Sequence, residues 1–127
     1  MIWRQLYGIG IAGALAFLSA TAGALAGKAD VVAVEVTREA VGTFAFSVTV
    51  RHADTGWDHY ADRWEVVGPD GKVLATRVLL HPHENEQPFT RSLSGVKIAP
   101  TITEVVIRAR DSRHGHGGAT KTVTVPH

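Results

Sequence analysis

From Asp30 onward, apolar and polar residues alternate with the period of two that sends successive side chains to opposite faces of a strand. The clearest run is 43–52, TFAFSVTVRH. Phe44, Phe46, Val48 and Val50 share one face with His52, while Thr43, Ser47, Thr49 and Arg51 share the other. In 30–37, DVVAVEVT, the residues Val32, Val34 and Val36 fall in one register, and in 59–67, HYADRWEVV, Tyr60, Trp64 and Val66 do. Gly68-Pro69-Asp70-Gly71 is turn chemistry, because proline presets φ and glycine accepts positive φ. It predicts a hairpin between 59–67 and 72–80. A weaker strand at 89–95 and two more at 102–110 and 119–125 complete the pattern. Short strands spaced by turn signals predict an all-β fold, a seven-stranded immunoglobulin- or fibronectin-like β-sandwich over residues 27–127, with Trp64 in the third strand plugging the core.

The first 26 residues break this pattern. Arg4 is a short positive lead, Leu6 to Gly27 carries no charge, and the apolar heart runs from Ile9 to Leu18. Ala24-Leu25-Ala26 sets small residues where a signal peptidase needs them, so residues 1–26 read as a signal peptide cleaved after Ala26. The alternative is an uncleaved anchor, since the uncharged stretch is long enough to span a bilayer. Only in that form is the membrane a partner. The expected location is periplasmic or secreted.

Composition then removes chemistry. Without Arg4, 12 basic residues face 12 acidic ones, and a neutral surface with no basic stripe argues against nucleic acid as a partner. The chain has no cysteine, which excludes disulfides, thiolate metal sites and thiol nucleophiles. Its single methionine is Met1, so the mature part offers no thioether to copper.

Histidine is the enriched residue, with seven in the chain. His52 and His59 flank one loop, His81 and His83 follow the hairpin, His114 and His116 precede the last strand, and His127 ends the chain. If strands run alternately up and down, the first three groups open at one end of the sandwich and His127 lies at the other. Imidazole nitrogens held on loops of a rigid scaffold suit zinc, copper, nickel or iron. Without sulfur the set favours Cu(II) or Zn(II), so His52, His59, His81, His83, His114 and His116 are the expected metal-site residues. Asp54, Asp58, Asp62, Glu84 and Glu86 stand by as oxygen ligands or as acceptors that orient imidazoles. The three aspartates do not follow the spacing of a calcium loop. His83-Glu84-Asn85-Glu86-Gln87 lacks the closing histidine of a zinc-protease helix. No nucleophile elbow, phosphate loop or dinucleotide fingerprint is present, and no catalytic residue is singled out.

The run from Val50 to Leu93 resembles small uncharacterised periplasmic proteins of proteobacteria. His59-Tyr60 with Trp64, and His114-Gly115, resemble in placement the iron ligands of superoxide reductases, which are immunoglobulin-like, although this chain has no axial cysteine. His81-Pro82-His83-Glu84 is similar to the His-x-His-Glu run of copper–zinc superoxide dismutase. Three readings follow. The first is a metal-binding protein for delivery, buffering or sensing, whose affinity falls as pH drops below the imidazole range near 6.5. The second is a non-catalytic module that binds an envelope protein partner through the same loops. The third is a small metal-dependent redox enzyme acting on superoxide.

Overall fold

The computed structural model describes residues 27–127, and the expected signal peptide with its cleavage signal lies outside them. The described residues form β1 (Asp30–Ala40), β2 (Thr43–Arg51), β3 (Ala61–Val67), β4 (Val73–Val78), β5 (Phe89–Lys97), β6 (Glu104–Asp111) and β7 (Lys121–Thr124). They make two antiparallel sheets, ordered β1-β2-β5 and β4-β3-β6-β7. All-β architecture is therefore as expected.

The core is what alternation dictates. Phe44, Phe46, Val48 and Val50 of β2 are buried against Trp64 and Val66 of β3 and Val105 and Ile107 of β6. Each such side chain stabilises the fold by roughly 1.5–3 kcal/mol on leaving water. Trp64 is fully buried at the centre. The anticipated turn is also present. Gly68 N–H donates to Lys72 O at 2.8 Å, Gly71 N–H donates back to Gly68 O, and Gly71 has φ +84°.

Register shifts interrupt simple alternation in four of the strand pairings, and two of them move an expected inward residue, for one reason. A β-bulge adds a residue to one strand and flips the faces beyond it. Pairing of β1 with β2 shifts between Val31 and Ala33, so Val31 rather than Val32 enters the core, with Val34 and Val36 packed partly against it. Pairing of β3 with β6 shifts between Ala61 and Arg63. Ala61 is thereby the inward residue, while Tyr60 falls outside β3 and meets Trp57 edge-on at 5.6 Å.

Up-and-down strands bring the loops 52–60, 79–88 and 112–118 to one end. His127 lies at the other, its ring 5.3 Å from Phe44 at the start of β2.

Candidate metal centre

The site is built on the last residue of β6. Asp111 is fully buried and accepts from two directions. Its Oδ1 takes the backbone N–H groups of Arg113 at 2.7 Å and His114 at 2.5 Å, which is how an aspartate at a strand end folds the following turn around itself. Its Oδ2 meets three imidazole nitrogens: His52 Nε2 at 3.0 Å, His59 Nε2 at 3.1 Å and His114 Nδ1 at 3.0 Å.

That arrangement is over-subscribed. An ionised carboxylate offers about four lone-pair positions, and here five polar groups compete for them. His52 sharpens the point. It leaves β2 in the inward register and is 1 % exposed. Its Nδ1 lies 2.5 Å from Asp54 Oδ1, and since a carboxylate only accepts, Nδ1 carries the hydrogen. The lone pair of a neutral His52 would then face Asp111 with no hydrogen between them. A second proton resolves this, and so does a metal cation.

The electrostatics agree. Burial opposes a charged His52, yet the hydrogen bonds and charges of Asp54 and Asp111 outweigh it and raise its pKa above the ordinary 6.5. Asp111 is held well below the usual carboxylate range despite burial, by the backbone and side chain of His114, the Arg113 N–H and His59. Asp54 is lowered too, burial being overcome by His52 and by the N–H groups of His83 and Ala61.

Ligand atoms of His52, His59 and Asp111 lie within 4.8 Å of one another. In a tetrahedral zinc site with bonds near 2.0–2.1 Å, ligand atoms stand about 3.3 Å apart, so contacts of 3.0–3.1 Å to Asp111 match a coordination edge as well as a hydrogen bond. His114 stands outside that triangle, with its side chain 42 % exposed on the solvent side. Asp54 behind His52 has the position of the carboxylate that fixes a ligating imidazole.

The other expected ligands go elsewhere. His83 donates its backbone N–H to Asp54 Oδ2 at 2.6 Å, but its ring stacks on Phe89 with centroids 4.0 Å apart. Its Nε2 accepts from Arg91 at 2.9 Å, and burial followed by the charges of Arg91 and His81 lowers its pKa. His81 lies beside it, 4.7 Å between centroids. Gln87 ties this loop to the centre, accepting from His52 N–H and donating to His83 O, both at 2.9 Å. His116 turns down the outer face of the four-stranded sheet to Glu65, 2.8 Å away.

Glu65 is itself buried between Arg63 and Arg108. Despite burial, Arg108 first, then Arg63 and His116, hold its pKa below the ordinary 4.5. A depressed carboxylate contributes stability that is complete above its unfolded value and is lost as pH falls through the lower folded value. Glu65→Gln is expected to cost about 2 kcal/mol at neutral pH, with the difference closing at acid pH. Thermal unfolding of both proteins from pH 7 down to pH 3 checks this, and a gap independent of pH would refute it.

One member of the centre was not among the expected residues. Asp111 was invisible to histidine counting, and its one signal is an aspartate closing a β-run immediately before Ser-Arg-His. Asp54 was expected as an oxygen ligand or as an acceptor that orients an imidazole, and it takes the second position, 2.5 Å from His52 Nδ1.

No family model matches the chain, and no solved structure matches it. Among curated proteins, one from Halomicrobium mukohataei named "Putative lipoprotein" is 44 % identical over 92 residues, 71 % of this chain and 45 % of that protein. The chain thus spans about half the length of the relative it matches. That relative is archaeal, and no family model or solved structure links the chain to the proteobacterial periplasmic proteins expected from the run 50–93. Neither family model nor solved structure links the chain to superoxide reductases.

Proposed function

We propose that this protein captures a divalent transition-metal ion, Zn(II) or Cu(II), outside the cytoplasm, using His52, His59, Asp111 and the solvent-side His114. The observation that supports this most is the crowding of three imidazole nitrogens on one buried carboxylate oxygen, with Asp54 fixing His52 from behind. A dication replaces the protons that otherwise hold two buried aspartates and a histidine together. The donor set is nitrogen and oxygen, which suits either metal. The lipoprotein name of the relative and the signal-like first 26 residues support an extracytoplasmic setting, and periplasmic or secreted is our reading of it. The strand orders β1-β2-β5 and β4-β3-β6-β7 support the immunoglobulin- or fibronectin-like assignment. Delivery, buffering or sensing follows from a site with one ligand at the surface.

Titration with Zn(II) and Cu(II) tests the reading. About one ion per chain is expected. His59→Ala should weaken binding about tenfold, comparable to the lower range for loss of groups around a metal. His81→Ala with His83→Ala should leave affinity within a few-fold, because Arg91 occupies His83 Nε2. Binding that follows the second pair and ignores His59 would overturn this choice of ligands.

A second reading has its own observation. Trp57 is 67 % exposed and Leu80 73 % exposed, on two of the loops at the histidine end. Exposed large apolar groups there suit docking to an envelope protein. Capture of a partner that chelator leaves unchanged and Trp57→Ala abolishes would favour it.

A further inference from the structure

The start of the described chain lies against the imidazole cluster. Gly27 O is 3.3 Å from His59 Nε2. A Cβ built on Gly27 would come 3.2 Å from His114 Cε1. The contact is enforced further along, where Gly118 presses on the same segment so closely that a Cβ there would fall 1.9 Å from Ala29 O. Ala119 N–H then bonds Asp30 Oδ1 at 2.7 Å, and Val31 N–H bonds Ala119 O at 2.8 Å. The segment 112–119 therefore carries both His114 and the clamp that holds Gly27 beside it. A cavity of about 400 Å³, lined by Gly27, Lys28, His114 and Gly117 among others, opens there.

Cleavage after Ala26 would turn the Gly27 nitrogen into a primary amine. We propose that this α-amino group is a ligand of the metal centre, completing it with nitrogen on the side where His114 meets solvent. The inference rests on the metal-binding reading above. The amine is two bonds from the carbonyl carbon whose oxygen already touches His59, so amine and carbonyl together can close a small chelate ring. Coordination releases the ammonium proton to water and puts a stronger-field nitrogen where carboxylate or water oxygen would otherwise sit. Export would thus do more than relocate the chain. An unprocessed precursor has an amide at this position, which is a poor donor, and full affinity would arise only after the leader is removed.

The test compares two exported proteins, each with its first residue fixed by mass spectrometry. One is the natural precursor. The other carries two extra residues between Ala26 and Gly27, so that the amine is displaced and Gly27 has an ordinary peptide N–H. Each is titrated with Cu(II) alone, and the visible and electron paramagnetic resonance spectra are recorded. The native start is expected to bind about one Cu(II) at least tenfold more tightly. Its ligand-field band should lie at shorter wavelength and its spectrum should carry one more nitrogen coupling. Equal affinity and identical spectra in the two proteins would overturn the amine and leave the imidazole–aspartate centre standing. No Cu(II) binding by either would overturn both. A mature protein beginning at a residue other than Gly27 would overturn the amine alone.

Discussion

Asp111→Asn is expected to lower the melting temperature by roughly 15 °C in the presence of chelator and to weaken Zn(II) binding at least about 100-fold. Asparagine keeps the shape of the side chain, so the loss isolates charge and acceptor capacity. The remaining amide oxygen can still serve Arg113 N–H and His114 N–H, but its NH₂ then faces the three imidazole nitrogens that Oδ2 now receives. A raised-pKa His52 would keep Asp54 and lose the other carboxylate that justifies its second proton. Removing one partner from a buried charge pair typically costs about 3–5 kcal/mol, because the charge left behind is uncompensated. For a domain of this size each kcal/mol moves the midpoint by roughly 4–8 °C. Thermal unfolding with chelator and calorimetric Zn(II) titration separate the two effects. A melting point within a few degrees of the parent, with unchanged Zn(II) affinity, would remove Asp111 from both roles.

Much of this scaffold was legible because alternation is a local signal. The inward register of 43–52 fixed Phe44, Phe46, Val48 and Val50 in the core and carried His52 to its rim, where it is found buried. The Gly-Pro-Asp-Gly turn followed from φ preferences alone. Strand parity brought His52, His59 and His114 to one end correctly. What parity lacks is depth and direction within a loop. His116 is two residues past His114, yet Gly115 with φ +70° turns the chain between them, and His116 reaches Glu65 on the outer sheet face. Bulges were hidden for the same reason. One inserted residue at Val31/Ala33 or Ala61/Arg63 changes no composition and leaves no turn signal. Asp111 was hidden because its partners arrive from three separate segments, a long-range fact that no window of sequence contains.

Asp54→Asn carries the other large expectation: metal affinity falls 10–100-fold while the three imidazoles and Asp111 remain in place. Asp54 is not in the ligand triangle. It acts through His52, whose Nδ1–H it receives at 2.5 Å, and through the loop backbone, receiving Ala61 N–H at 3.0 Å and His83 N–H at 2.6 Å. Its charge favours the Nδ1–H form of His52 and makes Nε2 a better donor toward a metal. Asparagine would present either its oxygen, keeping the tautomer but losing the charge, or its NH₂, which forces the Nδ1 lone pair inward and leaves Nε2 protonated toward Asp111. Stability should drop by about 3 kcal/mol as well, since one buried charge-assisted acceptor of three N–H groups is weakened. The two effects are separable by metal. A general loss of folding would weaken Zn(II) and Cu(II) in proportion to the fraction unfolded, which excess ligand reverses. A positioning role predicts weaker binding by protein that is demonstrably folded, together with a changed pH profile for metal uptake. Folded Asp54→Asn protein with parental affinity and pH profile would show that His52 needs no orienting carboxylate, and that Asp54 serves only the backbone of the two loops it joins.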